Sequence, residues 1–64
     1  MTNLQLLNKW AKASGYTFRI GMAVFMVQSS NNRYSASIEL FNKLNNYELH
    51  EELIKIGKIM EGIL

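Results

Sequence analysis

His50 is the only imidazole in the chain, and with Glu51 beside it forms the first half of the zinc-protease pattern H-E-x-x-H. That pattern places two histidines one helical turn apart to hold the metal, with the glutamate as general base. The second position is taken by Ile54, and the chain has neither cysteine nor aspartate, so no metal is expected. Nucleophilic catalysis needs a serine held against a histidine that a carboxylate orients. Ser29, Ser30, Ser35 and Ser37 suit a turn and a water-facing strand better. Of the carboxylates that could act in pairs, Glu48, Glu51, Glu52 and Glu61 cluster in one C-terminal segment, where solvation accounts for them. Gly15, Gly21, Gly57 and Gly62 do not make a phosphate-binding spacing. The expectation is a protein that is not an enzyme and takes no cofactor.

The elements that position these side chains are legible from apolar periodicity. In residues 2–14, Leu4, Leu6, Leu7, Trp10, Ala11 and Ala13 share one side of a helix, with Thr2 or Asn3 to cap it and Gly15 to end it. From Tyr16 the period becomes two: Tyr16, Phe18, Ile20, Met22, Val24 and Met26 fall on every second residue, with Thr17 and Arg19 as polar alternates but Ala23, Phe25 and Val27 making the odd face apolar too, whereas Tyr34, Ala36, Ile38 and Leu40 alternate with polar residues throughout. A hairpin with a three-residue loop, Ser30-Asn31-Asn32, would unite the two apolar sets by placing Met26 opposite Ala36 and Val24 opposite Ile38, with Asn32 left-handed. Phe25 and Val27 would then point away from the helices. A competing reading makes residues 36–45 a helix, because Ile38, Phe41 and Leu44 also fit helical spacing, with Ser35 as its cap.

Asn45 and Glu48 form a capping pattern for a last helix, along which Leu49, Leu53, Ile56, Met60 and Ile63 recur at intervals of four and three. The seam is too short for a free-standing coiled coil, so it should pack on the hairpin, with pairing across a dimer as the alternative. The predicted fold is a single α+β domain over residues 1–64, helix-strand-strand-helix (αββα), with an antiparallel hairpin on two helices; the alternative order is α-β-α-α.

A chain of 64 residues without disulfide or metal has a small core, which leaves oligomerisation as its remaining source of extra stability. The net charge of +2 comes from seven scattered cations, a weak attraction to polyanions. The N-terminus lacks the pattern of a secretory signal and the apolar run 20–27 is too short for a bilayer, so a cytoplasmic protein without membrane contact is expected.

The order helix, hairpin, helix resembles, in architecture only, a shortened double-stranded-RNA-binding domain. That family has three strands and a basic cluster opening its last helix. Here Glu48-Leu49-His50-Glu51-Glu52 occupies that place and would repel phosphate, so the family's RNA-contacting residues are not carried over. A ribbon-helix-helix reading would use the strand 33–38 but leaves the first helix unexplained.

The function expected is a small non-catalytic protein-interaction module, with Phe25, Val27 and Ile54 as partner-binding residues. Its partner would be another protein or a second copy. Lysine in excess of arginine and many Asn and Ile suggest a phage or mobile-element product that inhibits or adapts a host enzyme or defence complex. The alternative is a dimeric nucleic-acid-binding regulator of RNA or DNA that uses Lys9, Lys12, Arg19 and Arg33.

Overall fold

Helix α1 spans Asn3–Ala13 in the computed structural model, which describes residues 1–63. Thr2 caps it: its Oγ1 accepts the Gln5 amide at 3.2 Å, while the Gln5 side chain accepts the Thr2 amide at 2.8 Å. Both donors would otherwise lack a partner at a helix start. Asn3, the other candidate cap, instead ties α1 to the far side of the chain, as its Nδ2 donates to the Phe41 and Leu44 carbonyls at 2.9 and 2.8 Å. Gly15 follows the helix with φ +83°, a conformation that glycine adopts without steric cost.

The long alternating stretch is two strands, not one. Strand β1 (Thr17–Ile20) turns at Met22 and Ala23 into β2 (Val24–Gln28), and β3 (Arg33–Ser37) completes a three-stranded antiparallel sheet of order β1-β2-β3. The turn is closed by the Gly21 amide, which donates to the Val24 carbonyl at 2.8 Å. A two-residue reversal changes parity. Ile20 pairs with Phe25 and Phe18 with Val27, so the even residues of β1 share a face with the odd residues of β2.

This corrects the expected register. Gln28 pairs with Arg33, Val27 with Tyr34 and Phe25 with Ala36, one residue away from the predicted pairing. The loop between them is the even-numbered Ser29-Ser30-Asn31-Asn32, closed by the Ser29 amide to the Asn32 carbonyl at 2.8 Å, and Asn32 is not left-handed. Because strand side chains alternate, the slip moves every side chain of β2 to the opposite face, while Tyr34 and Ala36 of β3 stay toward the core as expected. Phe25 and Val27, expected outside, are 1% and 0% exposed in the core.

Residues 36–45 divide between the two expectations. β3 runs to Ser37, whose hydroxyl accepts the Leu40 amide at 3.3 Å and starts the short helix α2, Ile38–Asn42. The predicted strand thus ends before Ile38, and Ser37 rather than Ser35 is the cap. Helix α3, Asn46–Met60, begins with the capping box read from the sequence, Asn45 accepting the Glu48 amide at 2.8 Å and Glu48 the Asn45 amide at 2.9 Å.

The domain is α+β, with all three helices on the Phe25 face of the sheet. Leu7 and Ala11 of α1, Phe25 and Val27 of β2, Phe41 of α2, and Leu49, Ile56 and Met60 of α3 form the core. α1 lies against β1 and α3 against β3, so Leu49, Leu53, Ile56 and Met60 of the seam pack within the monomer, while Ile63, beyond α3, is exposed. Among the described residues, no helix is long and apolar enough to cross a membrane.

Candidate interaction surfaces

Burial removes two of the three residues expected to bind a partner. Phe25 stands edge-on to Phe41, with ring centroids 5.0 Å apart, and also contacts Phe18 and Tyr34. Val27 is fully enclosed beside it. Neither can present a side chain to another molecule. Ile54, by contrast, is 42% exposed.

What the register buries on one side it exposes elsewhere. The β1–β2 turn carries Ile20, Gly21, Met22, Ala23 and Val24, five uncharged residues in succession, all exposed. Ile20 is 60% and Val24 53% exposed, and Met22 is fully exposed. The turn is held from two sides: the Gly21 amide closes it within the sheet, and the Ala23 carbonyl accepts the Ile38 amide at 3.0 Å from the start of α2. That bond places α2, with its exposed Leu40, at the same end of the domain. Isolated surface apolar residues are common, but a contiguous apolar knob on a fixed backbone is a usual mark of an interaction site. Sequence reasoning missed it by reading these residues as strand. The signal was present as Gly21 and as the switch of apolar residues from even to odd positions, which is what a tight turn produces.

The four basic candidates do not form one patch. Arg19 and Arg33 lie on the sheet's open face, across from Met26 and Gln28 respectively. Standard strand spacing puts their Cα atoms about 12 Å apart. Thr17, Val24, Ser35 and Ser37 complete that face, and all five carboxylates of the chain lie on α2, on α3 or at the end of α3. Lys9 and Lys12 belong to α1, in the helix layer on the other side of the sheet.

Between α1 and α3 a depression of about 370 Å³ is lined by Trp10, His50, Leu53, Ile54 and Gly57. Trp10 is fixed edge-on against Tyr16, at 5.6 Å between centroids, and the Tyr16 hydroxyl donates to Glu61 at 2.8 Å. That bond first, then desolvation and the charge of Glu61, raises the Tyr16 pKa. On the opposite flank of α3 the half-buried Tyr34 donates to Glu52 at 2.5 Å. Burial first, then the bond to Glu52 and its charge, holds the Tyr34 hydroxyl well above its ordinary value. This pair joins β3 to α3 and borders a smaller cleft of about 130 Å³ beside Leu40 and Phe41.

His50 is exposed on the wall of the larger depression, and among the described residues no three His, Cys, Asp or Glu side chains gather as a metal site. Comparison with protein-family models, with curated proteins and with solved structures finds no match to this chain.

Proposed function

We propose that this protein is a non-catalytic interaction module of the cytoplasm that binds another protein by seating the β1–β2 turn in an apolar pocket of its partner. The exposed run Ile20-Gly21-Met22-Ala23-Val24 carries the reading. Burying one such side chain contributes about 1.5–3 kcal/mol. A turn already fixed by the Gly21 and Ala23 hydrogen bonds loses little conformational entropy on docking. Leu40 widens the apolar contact at the same end. The composition noted above extends the proposal to a phage or mobile-element protein that inhibits or adapts a host enzyme or defence complex.

The experiment is site-specific crosslinking. A photoreactive residue at position 22 is expected to trap a single protein that the same residue at position 9, on α1, does not. Met22→Asp should release that protein while the helical circular-dichroism signal stays unchanged. Undiminished binding by a folded Ile20→Asp/Met22→Asp variant would refute the reading.

A second reading rests on the open face of the sheet, where Arg19 and Arg33 stand without a carboxylate among them. Such a face would attract the phosphates of RNA or DNA, with affinity falling steeply as salt rises. Arg19→Glu and Arg33→Glu should each abolish that binding. Affinity independent of salt excludes it.

A further inference from the structure

Gly57 occupies an interior position of α3, where glycine costs about 1 kcal/mol relative to alanine. Nothing within the monomer calls for it. Its φ is not in the left-handed region, and a Cβ there would meet the Trp10 ring at 3.6 Å, an ordinary contact. The missing side chain leaves open the floor of the depression between α1 and α3, whose rim carries the exposed Ile54.

His50, Ile54, Gly57 and Glu61 recur at intervals of four, three and four, and so form one strip along α3. The strip is complementary to its own reverse. When a second α3 is laid on it antiparallel with Ile54 over Gly57, the two-fold axis brings the second Ile54 over the first Gly57. His50 then falls opposite Glu61 at both ends, since each lies four residues farther from the axis. Charge selects the same direction. On the flank of the strip beside Ile54, Glu51 lies before the two-fold axis and Lys58 after it. Antiparallel apposition sets acid against base twice, whereas parallel apposition sets like against like.

We infer that the α3 strip is a homodimer interface, in which a second copy of this chain packs antiparallel with its Ile54 in the depression floored by Gly57 and walled by Trp10. Two-fold symmetry requires only this one self-complementary surface. The inference does not depend on the β1–β2 turn, which lies outside the interface.

Sedimentation equilibrium tests it. The chain should pass from a 7.4 kDa particle to one of twice that mass as concentration rises. Ile54→Glu should weaken association at least about tenfold, and Glu51→Lys should weaken it too. The double variant Glu51→Lys/Lys58→Glu should recover it, because reversing both charges restores the pairing. All these positions are exposed on one face of α3, so circular dichroism should be unchanged. Met22→Asp should leave association intact, separating this interface from the proposed partner site. A monomer at every concentration up to about 1 mM overturns the inference. So does association that survives Ile54→Glu, or a double variant no better than Glu51→Lys.

Discussion

The Phe25 ring meets Phe41 edge-on at 5.0 Å between centroids, joining the central strand to α2 at the middle of the core. Phe18 stacks on its other side at 6.2 Å and Tyr34 tilts against it at 6.1 Å. Truncating such a residue removes its transfer free energy and leaves a cavity, together about 3–5 kcal/mol. A domain this small is expected to have about 3–10 kcal/mol of stability in all. Phe25→Ala should therefore be largely unfolded or close to it at 25 °C by circular dichroism, and Phe25→Asp fully so. A folded Phe25→Asp protein would restore the outward-facing register.

Asn3 joins the two ends of the helix layer. Its amide donates to the Phe41 and Leu44 carbonyls, and the Asn42 side chain accepts the Leu4 amide at 2.9 Å in return. The carbonyls belong to the end of α2 and the loop after it; that of Phe41 also accepts the Leu44 amide at 3.2 Å. Asn3→Ala leaves both partly buried without this partner, and chemical denaturation should register a loss of about 1–3 kcal/mol.

Tyr34 gives stability an alkaline limit. With its hydroxyl pKa raised in the folded protein, the native state keeps a proton that the unfolded chain releases above about pH 10. The contribution is complete below that pH and is lost as pH rises toward the folded value. Tyr34→Phe should be less stable at neutral pH by about 1 kcal/mol, for want of the bond to Glu52. Its stability should also fall less steeply than that of the unmodified protein above pH 10. Tyr16, raised through its bond to Glu61, acts in the same direction and remains in the variant, so the flattening is partial. Denaturation curves at pH 8, 10 and 11 measure the difference.

Gly57→Ala should stabilise the monomer by about 0.5–1 kcal/mol, since the new methyl group gains helix propensity and only touches Trp10. Gly15→Ala should do the reverse, because φ +83° is strained for alanine although the space is open. Thermal melts of the two variants in dilute solution should shift in opposite directions.

Local chemistry determined a good part of this protein. The Thr2 region, Gly15 and the Asn45-Glu48 pair bounded α1 and α3 because caps and glycine stops act on neighbouring backbone groups. The alternation of apolar residues showed that strands lie between them, and an α+β fold followed. The strand pairing was a different matter, because Val24 and Met26 are as apolar as Phe25 and Val27 and periodicity cannot rank two such faces. Only the assembled core does so: the even-numbered turns at Met22-Ala23 and Ser29–Asn32 turn the larger Phe25 toward Phe18, Tyr34 and Phe41 and Val24 to the open face, with Ile20 and Met22 exposed at the turn itself. The candidate surfaces followed from that choice. The apolar tip, the separation of Arg19 and Arg33 from Lys9 and Lys12, and the depression between Trp10 and Gly57 all join residues distant in sequence, and tertiary packing alone brings those together.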